Sequence, residues 1–536
     1  MRLFPSTFQF CAAFHASPKA RSTIHPYTEQ ESFVGKFIRP TLPAKGAAMH
    51  NRRTFLQHTI GLLGTLAVAP PLPPRLLGAN ETPPLRNTGA FQLSTSTPVP
   101  RYKGYCIGLE TYDRNQFDLN AVLPALKKMP VSRARLQSGW ARCEPEAGRY
   151  DFDWLDGIIN AVRNINIEPW LSLGFGNPVY MPECTDPAGV GWVPLYNKAA
   201  MAAWINYVKE VARRYRGKIV WYEIWNEPWN EQFWINGPRS GQEYARFAIP
   251  TMQAIREIDP NAKFVVGSIT LSSASQQYAR DFFNAGVADY ADALCYHQYA
   301  RVVDDYYVSK VQKLRALVAE YPRPMEIWQG ESGAPSTNET IGVLSNYYWD
   351  DQLQAKWTMR REVVEAYAQI DLGSQFHLID LAARGKTGAI LGKPNYKGLL
   401  NLDATPKPAF DAFNTMIFLL QGKFPQASKV GDLRLTTTAD ATFYNFTPQA
   451  NSTATSMIAY WQRGEFFANN QKPKEVEMTF AAGNAGMLAD WALFDPLTHS
   501  VYRFNPDVTT LTVPLKDYPL FILKRSQLEA IGQIVS

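Results

Sequence analysis

From Tyr102 onward, short apolar runs alternate with stretches whose apolar residues recur at helical spacing. The runs Tyr105–Leu109, Ser132–Gln137, Glu168–Leu173, Ile219–Trp225, Phe264–Ile269, Ala293–Tyr296, Met325–Gln329 and Ser374–Ile379 read as eight strands. Between them, Trp204, Val208, Val211 and Tyr215 follow one another at 4, 3 and 4 residues, which is one face of a helix. A second helix around Tyr244–Ile258 stops at Asp259-Pro260. Eight strand–helix units predict an α/β architecture, a closed parallel (β/α)8 TIM barrel over 101–421. A doubly wound sheet is the competing arrangement. It usually opens on a Gly-rich phosphate turn after the first strand, and 104–114 contains none.

Past Gly422 the pattern changes. Leu433–Thr438, Ser456–Gln462, Val476–Phe480, Trp491–Phe494 and Tyr518–Leu523 read as strands separated by Asn, Gly, Pro and Asp, with no helical period before the last dozen residues. The expectation is a small antiparallel β-sandwich over 422–536.

The first hundred residues read as an address rather than as fold. Asn51-Arg52-Arg53-Thr54-Phe55-Leu56 precedes an apolar run of ten residues, Ile60–Ala69, and then Pro70-Pro71. A membrane-spanning helix needs about 20 residues, so this is an export signal and not a span. Paired arginines before Phe-Leu resemble the bacterial twin-arginine signal, which carries folded proteins out of the cytoplasm to the periplasm or beyond. The signal is assigned to 49–79, with Met49 just ahead of it. Residues 1–48 then stand for an early start or a removed leader, and 80–100 for a Pro-rich linker.

Composition narrows the function classes. With 46% hydrophobic and 19% charged residues the chain is neither disordered nor coiled coil. The net charge of +6 is carried by the leader, where eight Lys/Arg face Glu29 and Glu31. A body with no net charge has no broad footprint for phosphate backbones, so nucleic acid is not an expected partner. Of seven His, only His297, His377 and His499 lie beyond the leader, so a three-His metal site would need all of them. Cys106 and Cys295 sit in strand-like contexts as small core residues. Cys143 and Cys184 fall in loop-like stretches, and export would permit a disulfide between them. Gly330-Glu331-Ser332-Gly333 is one residue short of a Gly-x-Ser-x-Gly nucleophile elbow, which leaves a serine hydrolase without support.

Two glutamates stand where barrel chemistry sits, at the C-terminal ends of strands. Glu227 ends the fourth in Ile224-Trp225-Asn226-Glu227-Pro228-Trp229, and Glu331 ends the seventh in Ile327-Trp328-Gln329-Gly330-Glu331. They are 104 residues apart, about three strand–helix repeats, and so face one mouth. Carboxylates rarely lie among tryptophans without a reason, because burying an unpaired charge is costly. Apolar surroundings also raise a carboxyl pKa, as a general acid near neutral pH requires. Cleaving a glycosidic bond needs such a pair: one group protonates the leaving oxygen, and the other attacks the sugar carbon or activates water. Trp225, Trp229 and Trp234 flank Glu227, and aromatic faces suit the C–H faces of sugars. Trp229 is the one singled out for substrate.

On these residues the chain resembles the clan A retaining glycoside hydrolases, with Asn226-Glu227-Pro228 as the most specific mark and a likeness running from about Tyr105 to Phe413. The resemblance implies Glu227 as acid/base, Glu331 as nucleophile, and Asn226 as a partner of the sugar 2-hydroxyl. Tyr296-His297-Gln298-Tyr299 looks like the clan's His-x-Tyr, with His297 and Tyr299 near substrate and nucleophile. A strand-two arginine usually supports the nucleophile, and Arg135 is preferred over Arg133 because it lies nearer the strand end. Trp140…Glu144-Pro145…Leu155-Asp156 resembles a segment of β-galactosidases and family 39-type β-xylosidases and reads as structural. The barrel-then-sandwich layout also resembles family 39. Two departures stand out: Phe376-His377 replaces the Trp often found at the end of strand eight, and Gln-Gly-Glu-Ser-Gly differs from the usual nucleophile context. The implied activity is retaining hydrolysis of a β-linked oligo- or polysaccharide without cofactor or metal. The rival from another class is a carbohydrate-binding protein on a degenerate barrel, which Glu331→Gln in a hydrolysis assay would separate from an enzyme.

Overall fold

The structure is a computed structural model that describes residues 85–535, apart from 95–97, 305, 385–389, 427–439, 451–454, 467–473, 480–487 and 508–509. The proposed signal and leader, and the expected strand Leu433–Thr438, lie outside the described residues.

Eight parallel strands close into a barrel. In chain order they are β1 (Tyr102–Gly108), β2 (Val131–Gln137), β3 (Glu168–Leu173), β4 (Trp221–Ile224), β5 (Lys263–Ile269), β6 (Ala293–His297), β7 (Glu326–Ser332) and β8 (Leu372–Gln375). Closure comes from β1, which pairs with β2 through Gly108↔Arg135 and with β8 through Cys106↔Ser374. The inside of the barrel is filled by Cys106, Trp170, Trp221, Val265, Ala293, Cys295, Trp328 and Leu372. The two strand-borne cysteines are thus core residues, as their apolar neighbours suggested.

The helices follow their sequence signals. In α1 (Lys198–Tyr215) the side chain of Asn197 accepts from the N–H groups of Ala199 and Ala200, and Trp204, Val208, Val211 and Tyr215 are all fully buried. In α2 (Gly241–Ile258) Ser240 Oγ accepts from Glu243 N at 3.2 Å, half of a capping box. Helix α3 (Asp351–Ala368) is capped by Asp350 and is buried almost all round, because it packs against the helices Tyr307–Val318 and Pro408–Leu420 and the C-terminal sheet, while Arg361 donates to Ser374 O and Gln375 Oε1 of β8 at 3.1 and 3.0 Å. No helix among the described residues is long and apolar enough to cross a membrane.

The C-terminal part is antiparallel β-structure. One sheet runs in the order 424–425, 441–447, 457–462, 520–524, 491–495, 500–504, 85–93, 532–535, and a two-stranded ribbon joins Lys474–Thr479 to Thr510–Leu515. This is the expected sandwich, with one correction. Leu85–Leu93, read as part of the linker, is a strand between Ser500–Phe504 and Gly532–Val535. Phe91 supplies the reason: it is buried and packs edge-on to Phe494 at 5.3 Å. Strand β8 also ends earlier than expected, so Phe376–Ile379 form the loop beyond it. A second correction concerns Cys143 and Cys184, which are free thiols. Each faces a backbone carbonyl instead, Cys143 that of Ser138 and Cys184 that of Asp186, both at 3.3 Å.

Candidate active site

Both glutamates leave their strands through unusual backbone. After β4 the chain turns through Trp225 (φ 71°) and Glu227 (φ 45°), conformations that side chains other than Gly rarely adopt and that cluster at functional sites. In β7 the register against β6 slips, so that Tyr296 pairs with Gln329 but His297 with Glu331. This bulge at Gly330 turns Glu331 beside His297. A Cβ at Gly330 would lie 2.3 Å from Cys295 Sγ and 3.0 Å from His297 Nε2, and one at Gly333 1.8 Å from the carbonyl oxygen of Phe376. The unusual Gln-Gly-Glu-Ser-Gly context is therefore a packing requirement of this barrel rim.

The bulge brings the two carboxylates together. Facing oxygens of Glu227 and Glu331, with His297 Nδ1 between them, all lie within 4.8 Å of one another. His297 Nδ1 is 2.9 Å from Glu227 Oε1, and Asn230 Nδ2 donates to Glu227 Oε2 at 2.7 Å. Glu331 accepts from Tyr299 OH at 2.8 Å on Oε1 and from Arg135 Nη1 at 2.9 Å on Oε2. Arg135, 1% exposed, is the hub. Its Nε and Nη2 hold Glu223 side-on at 2.8 and 3.0 Å, Nη2 donates to Asn226 Oδ1 at 2.7 Å, and Nη1 also donates to Glu110 Oε1 at 2.8 Å. Fork geometry lets one guanidinium serve four partners.

Protonation follows from this layout. Burial pushes the Glu331 carboxyl up, but His297, Arg135 and the Tyr299 hydroxyl outweigh it and hold it below the ordinary value. Burial opposes a charge on His297, yet its contacts with Cys295 and Glu227 and the charge of Glu331 raise its pKa well above the usual imidazole value. Burial lifts Glu110 to about 7, with Glu331 adding to the rise and Arg135 opposing it. His377, 3.7 Å from Glu110 Oε2, is pushed by burial down to about 3 and stays neutral. The site thus holds an ionised carboxylate, Glu331, next to Glu227 and a cationic His297.

Every residue singled out in the sequence other than the two cysteines meets at this mouth. Asn226 is fixed by Arg135, with its oxygen committed to the guanidinium. Trp229 is half-buried and donates Nε1 to Ser268 O at 2.8 Å, while Ser268 Oγ donates to Glu223 Oε1 at 2.5 Å. Arg133 takes another place, ion-paired to Glu168 at the opposite end of the barrel. Glu110 and Glu223 were missed. Glu223 is a lone carboxylate in the apolar run Trp221–Ile224 and so carried a signal, whereas Glu110, two residues past the end of β1 at the start of a short helical turn, carried no local one.

Among the described residues, two trios have metal-ligating atoms within 4.8 Å, Glu223–Cys295–His297 and Glu227–His297–Glu331. In the first, both Glu223 oxygens are taken by Arg135 and Ser268. In the second, Glu331 is held by Arg135 and Tyr299, and Glu227 by Asn230 and His297.

The model of the glycosyl hydrolases family 39 matches residues 140–320, a stretch that includes Glu227 and His297 and ends before Glu331. Among solved structures, the chain is similar to a family 39 glycoside hydrolase from the gut symbiont Bacteroides cellulosilyticus WH2, with a TM-score of 0.59 and 15% identity over 79% of this chain and 81% of that one. It is also similar to the GH39 enzyme of Xanthomonas axonopodis pv. citri, with a TM-score of 0.49 and 16% identity over 82% and 97% of the two chains. No curated protein sequence matches the chain.

Proposed function

We propose that this chain, an O-glycosyl hydrolase resembling the retaining family 39 enzymes of clan A, is exported and cleaves a β-linked glycosidic bond of an oligo- or polysaccharide. The observation that carries the reading is the closeness of the two carboxylates. Facing oxygens within 4.8 Å suit the retaining arrangement, about 5–5.5 Å, and not the inverting one, about 6.5–9.5 Å, which needs room for a water between the groups.

In the first step a Glu331 oxygen attacks the anomeric carbon while Glu227 gives its proton to the glycosidic oxygen. The C1–O bond breaks, the aglycone leaves as an alcohol, and the sugar remains as an ester of Glu331. In the second, Glu227 takes a proton from water, the water oxygen bonds to C1, and the ester bond breaks to restore ionised Glu331. Arg135, Tyr299 and His297 keep the nucleophile charged. The Asn226 oxygen is held by Arg135, so its amide N–H remains for the 2-hydroxyl, and Trp229 offers a face to the sugar. Export rests on the twin-arginine-like segment at 49–79.

The test is trapping with 2-deoxy-2-fluoro-β-glycosides of xylose, glucose and galactose bearing a dinitrophenyl leaving group, followed by peptide mapping. The expected result is a stoichiometric label on Glu331, and the sugar that labels names the specificity. A label on any other residue overturns the assignment of roles.

A further inference from the structure

The loop after β6 carries Tyr299, the residue that donates to the nucleophile, and three ties hold it immediately past that point. Ala300 O accepts from Trp357 Nε1 of α3 at 2.8 Å. Arg301 donates Nε to Glu465 Oε2 at 2.6 Å and Nη1 to Tyr348 O at 3.1 Å, with its guanidinium over the rings of Tyr347 and Trp349 at 5.0 and 5.1 Å. Asp304 accepts from Trp461 Nε1 at 3.0 Å and from Arg360 Nη1 at 3.2 Å, and its carbonyl accepts from Tyr444 OH at 2.9 Å. Tyr444, Trp461 and Glu465 all belong to the C-terminal sheet and the turn that leaves it.

That turn is built into the barrel rim. Arg360 of α3, fully buried, donates to the carbonyls of Gly464 at 2.6 Å and Gln462 at 2.9 Å and stacks on Phe466 at 4.4 Å. Phe466 completes an apolar cluster with Ala334, Leu344, Trp349, Leu353 and Trp357, and Tyr299 packs against that cluster. A sheet that served only as a separate glycan-binding module would not need a buried arginine spent on its turn carbonyls, because each such group costs energy to desolvate unless its partners are met.

We propose that the C-terminal sheet is part of the catalytic apparatus: its turn 462–466 is a strap that positions Tyr299, and through Tyr299 the ionised nucleophile Glu331. Phe466 and Glu465 of the strap, and Arg360 that holds it, act through the loop that carries Tyr299, so they are positioning residues. A shift of an ångström in such support costs about 10²-fold in rate. The effect on chemistry rests on the retaining mechanism proposed for Glu227 and Glu331, but the anchoring itself does not.

The experiment uses the full chain with Phe466→Ala and, because that side chain is buried, the exposed-partner variant Glu465→Gln as the one certain to leave the core intact. Hydrogen–deuterium exchange of the peptide spanning 298–304 and labelling by the 2-deoxy-2-fluoro-β-glycoside that traps the wild type are measured together. Both variants are expected to lose protection at 298–304, Phe466→Ala more than Glu465→Gln. The labelling rate should drop about ten- to a hundredfold in Phe466→Ala, with the acid limb of the rate profile moved to higher pH, and recover in part in Phe466→Leu. Unchanged exchange at 298–304 in both variants overturns the strap whatever the activity. Lost protection with an unchanged labelling rate and acid limb overturns the link to Glu331 while leaving the glycosidase reading intact. Failure of every glycoside to label the wild type would count against that reading and not against the exchange result.

Discussion

His297 presents Nδ1 to Glu227 Oε1 at 2.9 Å, and the same nitrogen stands 3.8 Å from Glu331 Oε2. One protonated imidazole therefore faces both carboxylates, and its charge helps keep Glu331 ionised.

His297→Gln removes that charge and leaves Glu331 with Arg135 and Tyr299. The Glu331 pKa then rises, so the nucleophile becomes charged only at higher pH. The acid limb of kcat/KM should move upward, with a fall at the optimum of about ten- to a hundredfold, the range of a lost positioning and charge contact. A pH–rate profile decides it. An acid limb identical to wild type would mean that the imidazole does not act on Glu331.

Glu110 links pH to stability. Its carboxyl ordinarily titrates near 4.5 and is raised to about 7 in the fold, so the folded protein holds this proton more tightly than the unfolded chain. The stabilisation is complete below about 4.5 and is lost as pH climbs through about 7. Glu110→Gln cannot ionise. The Tm difference, variant minus wild type, should become more favourable to the variant between pH 5 and pH 8. Buried Glu365, also raised to about 7, titrates in both proteins and cancels. A difference that stays constant across that window would refute the assignment.

Arg135 and Arg133 share a strand face but not a fate. Arg135 is ion-paired to Glu110, Glu223 and Glu331 with both sides buried or nearly so, whereas Arg133 meets the exposed Glu168. An ammonium cannot reproduce the fork, and breaking a buried pair costs about 3–5 kcal/mol. Arg135→Lys should lose a few kcal/mol in urea denaturation and at least about a hundredfold in kcat. Arg133→Lys should keep wild-type kcat.

Much of this was legible in the sequence because its signals are local. Period-two and period-3.6 patterns mark strands and helices before any packing is known, and a strand-end Glu beside Asn and Trp marks a barrel mouth. Glu110 was illegible as a site residue because its partner Arg135 comes from another strand and nothing local distinguishes it from a helix-start carboxylate. Leu85–Leu93 was hidden for a similar reason. Its Gly-, Thr- and Asn-containing stretch is a strand only because partners some 400 residues later supply its ladder. Glu144, in the segment read as structural, is indeed absorbed by local bonds from Trp140 Nε1 at 2.6 Å and Gly148 N at 2.8 Å.

The thiols give a check that needs no substrate. Cys106, Cys143, Cys184 and Cys295 are free and buried, and burial raises the pKa of each. Thiolate is the reactive form, so the folded protein should resist thiol reagents, and dithiothreitol should leave Tm unchanged. Alkylation in denaturant without reductant should modify Cys143 and Cys184. A Cys143–Cys184 cross-linked peptide in the mass map would restore the disulfide.

The two carboxylates can be told apart by what azide does after each is removed. In Glu227→Ala the nucleophile survives, so a dinitrophenyl β-glycoside, whose leaving group needs no proton, still forms the Glu331 ester. Its hydrolysis then stalls because no base activates water. Azide needs no such help and enters the space left by the side chain, so turnover should rise with azide and the product should be the β-glycosyl azide. Poorer leaving groups should lose about 10²–10⁴-fold, the range of general acid catalysis. In Glu331→Ala no ester forms, and azide can only displace the aglycone directly from the opposite face, which gives the α-glycosyl azide. Opposite anomers from the two variants follow from a two-step path with Glu331 as nucleophile. The same anomer from both variants would abolish the division of labour between Glu227 and Glu331, and the reverse pairing of anomers would exchange their roles.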